Sequence, residues 1–141
     1  MSTEIPEPQT NTSTNDVDVV RRVYEAFTSR DVPALFALFD EDGTIYQSSR
    51  VPWGGDFRGH EGMGEFLGKL TGAIQSQVET ERYIADEDGH VIAIGHTRGH
   101  VIATGEPFDV PEVHLWTVEN GKVTRFESYI DTGKMRAALG L

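Results

Sequence analysis

Glu112 and His114 stand two positions apart in the run PEVHLW. On a β-strand that spacing puts both side chains on one face of the sheet. A carboxyl and an imidazole side by side can share a substrate proton, which is what general acid–base chemistry needs. A carboxylate in an apolar cavity tends toward a raised pKa, and an adjacent imidazole opposes this by stabilising the anion, so such a pair titrates as a coupled unit. The same two residues also suit a buried strut that orients a wall of the core, and the sequence leaves both readings open. A second spacing, His96 and His100 in HTRGH, superficially suggests a metal. These two would share a face of a strand rather than of a helix, with no carboxylate at ligand spacing, so no metal is expected. The chain has no cysteine, which removes thiolate ligands, thiol nucleophiles and disulfides. No glycine-rich phosphate loop, serine-centred nucleophile elbow or zinc motif occurs, and no cofactor is expected. The chemistry is confined to oxygen and imidazole groups.

The elements that must position these groups belong to one domain of ordinary size, since 141 residues suffice to bury a core without staples. A formal net charge of -11 argues against nucleic acid, which is bound through clustered Lys and Arg. No apolar run approaches the ~20 residues of a membrane span, and the N-terminus has neither a basic start nor an apolar stretch, so a cytoplasmic protein with no membrane partner is expected. Residues 1–15, MSTEIPEPQTNTSTN, are polar and read as a flexible tail, with the domain over 16–141. Asp16 then caps a first helix, in which Val17, Val20, Val23, Tyr24 and Phe27 form an apolar stripe. Asp31 and Pro33 start a second helix carrying Leu35, Phe36, Leu38 and Phe39, which ends at the turn Asp40 to Gly43. Thr44 to Ser49 reads as a strand and Arg50 to Gly59 as an exposed loop. A third helix runs from about His60 to Ile74, where Gly64, Gly68 and Gly72 share a face that would admit a close neighbour. Val78 to Ala85, Val91 to His100, Phe108 to Val118 and Lys122 to Ile130 are strands, with Asn120-Gly121 as a hairpin turn. A helix over Thr132 to Leu139 closes an α+β arrangement.

Three stretches, VRRVYEAFTSRDVPALFALFDEDGTIY, WGGDFRGHEGMGEFLGKL and FDVPEVHLWTVENGKVTRFESYIDTGKMRAALG, together resemble the SnoaL-like branch of the nuclear transport factor 2-like superfamily. That group includes the polyketide cyclases, ketosteroid isomerases and limonene-epoxide hydrolases. The resemblance implies a cone-shaped barrel, a curved antiparallel sheet packed against three N-terminal helices around one apolar pocket. EVHLW is similar to a cyclase stretch whose histidine lines the pocket, which puts His114 inside and, by alternation, Glu112 and Trp116 beside it. TIYQS resembles an epoxide-hydrolase segment that supplies a pocket tyrosine, here Tyr46, with Ser48 as its polar neighbour. Departures matter equally. The aspartate that cyclases and epoxide hydrolases carry on the last strand falls at Ser128. The remaining triad members of the epoxide hydrolases fall near Gly95 and Thr97. The isomerase base falls at Gln47, and its oxyanion tyrosine near Val23, one position before Tyr24. Neither isomerase nor epoxide-hydrolase activity carries over on these residues.

The residues expected at the site are therefore His114 and Glu112 as acid and base, with Tyr46, Ser48, Trp53, Phe66, Leu70, Trp116 and Ser128 around a ligand. Trp53 either covers the cavity mouth or pins its loop, and Phe66, Leu70 and Trp116 also suit a plain core. Two functions follow. One is a cofactor-independent enzyme moving a proton next to a carbonyl of a small apolar or polycyclic compound. The other is a non-catalytic pocket for a small hydrophobic molecule. An outward sheet face mixing Leu115 and Tyr129 with His96, Arg98, Arg125 and Glu127 suits a homodimer interface.

Overall fold

The structure, a computed structural model, describes residues 10–141, with side chains from Asn15 onward. Its elements are α1 (Thr10–Thr28), α2 (Val32–Leu38), β1 (Phe39–Gln47), β2 (Gly55–Arg58), α3 (Gly59–Ala73), β3 (Ile74–Ala85), β4 (His90–Val101), β5 (Pro107–Glu119), β6 (Lys122–Ile130) and α4 (Thr132–Leu139). Helix α1 starts at Thr10, so Asp16 lies inside it rather than capping it. Once a helix is nucleated, each polar residue added costs at most about 0.7 kcal/mol, so TNTSTN can extend a segment held by its apolar face. Residues 1–9 of the expected tail lie outside the described residues. Val19, Val20, Val23 and Ala26 form the buried stripe of α1.

Helix α2 begins where the Asp31 carboxylate accepts the Ala34 N–H at 3.2 Å, with Pro33 in the first turn. It stops one residue earlier than the apolar pattern suggests. Phe39 is already extended and opens β1, so Asp40–Gly43 is strand, irregular in register, rather than turn. The loop after β1 holds the short strand β2, paired antiparallel with β1.

One six-stranded sheet has the order β2-β1-β6-β5-β4-β3. It is mixed rather than wholly antiparallel, because β1 and β6 run parallel. Parallel neighbours need a long crossover, and here β2 through β5 supply it. The sheet is curved but open, ending at β2 and β3, so the cone is not a closed barrel. Hairpin β5–β6 turns on Asn120 and Gly121, both at positive φ (53° and 79°), as a type I′ turn requires. A fourth helix, α4, starts at the Asp131 cap and buries Met135 completely.

Strand parity sorts the sheet into two faces. Ile45 and Gln47 of β1, Thr97 of β4, Glu112, His114 and Trp116 of β5, and Phe126 and Ser128 of β6 are all buried on the helix-covered side. Their neighbours Tyr46, Arg98, Val113, Leu115, Glu127 and Tyr129 keep solvent contact on the other. On α3 a Cβ at Gly62 would stand 3.1 Å from the Phe57 carbonyl carbon. Of the three glycines expected to admit a neighbour, Gly64 has Phe36 Cζ 3.7 Å from a would-be Cβ, while Gly68 and Gly72 have nothing within 4 Å among the described residues.

Candidate active site

Between the helices and the inner sheet face lies a cavity of about 100 Å³. Most of its wall is apolar: Val23 and Phe27 from α1, Phe66 and Leu70 from α3, and Met135 from α4 all contribute. The polar side chains come almost entirely from the sheet, because alternation delivers one inward residue in two along each strand. Glu112 and His114 are 6 % exposed each, and Gln47, Ser76, Thr97 and Ser128 are also buried.

Glu112 Oε1 stands 3.2 Å from His114 Nε2. On the other side of the ring, Tyr24 Oη lies 2.7 Å from His114 Nδ1. The Trp116 indole N–H donates to that same Tyr24 oxygen at 3.0 Å. An indole nitrogen can only donate, so the Tyr24 oxygen accepts from Trp116, and its own proton can be donated to His114 Nδ1 when the imidazole is the Nε2–H tautomer. In that arrangement the neutral imidazole carries its proton on Nε2, turned toward the Glu112 carboxylate. Burial holds the Tyr24 phenol well above its usual range; the Trp116 N–H opposes this and the Glu112 charge adds to it. Tyr24 therefore stays a neutral hydroxyl. Aromatic rings clamp the imidazole, with Phe126 edge-on at 4.9 Å and Tyr24 stacked at 5.8 Å between centroids.

The structure brings together Glu112, His114, Trp53, Phe66, Leu70, Trp116 and Ser128, all of which line the cavity. Tyr46 and Ser48 do not join them, which corrects the expectation from TIYQS. The inward residues of β1 are Ile45 and Gln47, so parity turns Tyr46 to the outer face, where its ring lies 5.8 Å from that of Tyr129. Ser48 follows the end of β1, and its hydroxyl accepts the Arg50 N–H at 3.3 Å. Trp53 is 2 % exposed and belongs to the interior wall rather than to an outer cover. Its loop is tied down where Arg136 of α4 donates to the Arg50 carbonyl at 2.7 Å.

Tyr24 and Gln47 are functional candidates that sequence reasoning passed over. Tyr24 counted as part of the apolar stripe of α1 and as the neighbour of the place where the isomerases carry their oxyanion tyrosine, although a tyrosine on a stripe of valines, with a hydroxyl to satisfy, was a usable signal. Gln47 registered only as the place of a missing carboxylate. His96 faces outward, where its two nitrogens contact Asp109 at 2.9 Å and Glu81 at 3.0 Å, while Arg98 pairs with Asp109 and Glu79. Among the described residues, no group of three or more His, Asp or Glu side chains is arranged to hold a metal. No described helix is long and apolar enough to cross a membrane.

The model of the SnoaL-like domain family matches residues 20–126, from α1 into β6. This chain is a SnoaL-like domain. Uncharacterized proteins of Mycobacterium tuberculosis and Mycobacterium bovis are each 30 % identical to it over 116 residues, covering 81 % of this chain and 87 % of theirs. An NTF2-like protein of unknown function from Burkholderia pseudomallei superposes with a TM-score of 0.83 at 25 % identity, over 90 % of this chain and 98 % of that one. A Catenulispora acidiphila protein with a ketosteroid isomerase-like fold, solved with trimethylamine, shares the fold of this SnoaL-like domain. Its TM-score is 0.75 at 24 % identity, covering 87 % and 92 % of the two chains.

Proposed function

We propose that this SnoaL-like domain is a cofactor-independent enzyme that moves a proton on the carbon next to a carbonyl of a small apolar compound. The observation that carries the reading is the Glu112–His114 contact of 3.2 Å, buried in an apolar cavity and backed on the far nitrogen by Tyr24. Glu112 as carboxylate takes the C–H proton. The bonding pair becomes the C=C of an enolate as the carbonyl π pair moves onto oxygen. His114, held in orientation by Tyr24, donates its Nε2–H to Glu112, and Glu112 returns the abstracted proton to the same or a conjugated carbon. An engineered apolar cavity of about 150 Å³ takes benzene, so a cavity of about 100 Å³ suits a single ring better than a polycyclic compound.

A second reading, a non-catalytic pocket for a small hydrophobic molecule, is favoured by Ser128, which sits in register with His114 where the resembled enzymes carry an aspartate. Deuterium uptake separates the two. With a panel of small cyclic ketones in D₂O, the enzyme reading expects incorporation at the carbon next to the carbonyl well above the buffer rate. Binding of the same ketones without added incorporation supports the pocket reading instead. We also propose a homodimer paired through the outer sheet face, a reading supported by exposed Val113 and Tyr129 beside half-buried Leu115.

A further inference from the structure

We infer that Gln47 binds the carbonyl oxygen of the substrate, and that the substrate is consequently a neutral carbonyl compound rather than a carboxylate. The inference rests on the proton-transfer site proposed above and names the group that holds the other end of the reacting unit.

Gln47 is 2 % exposed and lines the cavity, and its Nε2 is the buried side-chain nitrogen or oxygen left without a hydrogen-bond partner among the described residues. Buried amides nearly always find partners, so an orphaned donor on a cavity wall marks a place that a ligand acceptor can complete. The sheet register sets its distance from the reacting pair. Gln47 is paired with Ser128 across β1 and β6, and Ser128 with His114 across β6 and β5. The three thus form one rung, with Gln47 and His114 two inter-strand steps apart, about 10 Å between their Cα atoms. Both side chains reach inward from the same face, so the gap between their polar tips suits a few heavy atoms. That is the span from a carbonyl oxygen to a nearby acidic C–H.

Two further observations select the ligand chemistry. Among the described residues the cavity wall contains no Lys or Arg, and it already holds the carboxyl of Glu112. An anion placed there would meet an unbalanced like charge, whereas a neutral carbonyl would not. The phenol of Tyr24 is committed to His114, and of the side-chain donors on the wall it is the Gln47 Nε2 that lacks a partner among the described residues. As the C–H proton passes to Glu112 and the carbonyl pair moves onto oxygen, the hydrogen bond that the Gln47 N–H donates to that oxygen strengthens; return of the proton reverses both changes.

The test uses the full chain, with side-chain amides labelled with ¹⁵N, titrated with cyclohexanone, with methylenecyclohexane, in which C=CH₂ replaces C=O, and with cyclohexanecarboxylate. The expected result is that cyclohexanone shifts the Gln47 amide signal and methylenecyclohexane does not, with the carboxylate the weaker ligand. Gln47→Met, close in volume, should weaken cyclohexanone binding by up to about tenfold, leave methylenecyclohexane binding no weaker, and melt at the same or a higher temperature. Equal responses of the Gln47 amide to ketone and hydrocarbon, tighter binding of the carboxylate, or no binding of cyclohexanone at millimolar concentration would each overturn the assignment. If Gln47→Met does not fold, the wild-type titration decides alone. Deuterium uptake reads the acid–base pair independently. A silent Gln47 amide with uptake dependent on Glu112 rejects this inference and leaves the proposed activity standing. An oxygen-dependent Gln47 response without uptake does the reverse.

Discussion

The Tyr24 hydroxyl joins two groups that would otherwise be unpaired in the core, the Trp116 indole N–H and His114 Nδ1. Tyr24→Phe removes both bonds while keeping the ring, and is expected to lower stability by about 1–3 kcal/mol, measured by urea unfolding at neutral pH. The same substitution should change the alkaline limb. The folded-state pKa of Tyr24 is raised above its ordinary value of 10.0. Its contribution to stability is therefore complete below pH 10 and is lost as pH climbs from there toward the raised folded-state value, because only the unfolded chain gives up the proton in that interval. Tyr24→Phe should show a shallower decline over that window; an identical alkaline slope in both proteins would show that Tyr24 does not titrate as described. At this scale, the Glu112–His114 pairing was legible from two letters on a strand. Tyr24 was not, because its partners lie 90 and 92 positions away in sequence, and only the packing of α1 onto β5 brings them together.

Elements whose ends are set by local chemistry were readable closely: Asp131 and Gly140 bound α4, and Asn120-Gly121 fixes the last hairpin. Those set by tertiary pairing were not. Strand β3 starts at Ile74, four residues before its β-branched pattern begins, because Ile74 and Ser76 pair with Val101 and Gly99 of β4. A one-residue choice of parity on β1 separated Tyr46 from Gln47, and motif resemblance pointed to the neighbour that faces outward. The glycines of α3 show the same limit, since their common spacing could not tell contact from open space. Gly68→Ala and Gly72→Ala meet nothing within 4 Å among the described residues and should each stabilise the protein by roughly 0.5–1 kcal/mol. Gly62→Ala, pressed against the Phe57 backbone at 3.1 Å, should destabilise it. Denaturant midpoints of the three variants test this, and a loss of stability in Gly68→Ala would place an unseen contact on that face.

Across the whole molecule, the fold class was legible because three helices followed by a strand meander admit few architectures, whereas the parallel β1–β6 pair was not, as no local signal marks a crossover. The outer sheet face predicts a dimer in light scattering at micromolar concentration. Leu115→Glu, at the middle of that face, should shift the mass to the monomer, while a wild-type monomer that stays one on concentration would exclude the interface. The central claim is that the buried carboxylate of Glu112 takes a proton from carbon. Its most direct test is the rate of deuterium incorporation into a bound cyclic ketone by Glu112→Gln, compared with wild type after both are shown to be folded. A fall of about 10²- to 10⁴-fold, the usual cost of a lost general base, is expected; incorporation at the wild-type rate would show that Glu112 is not the base.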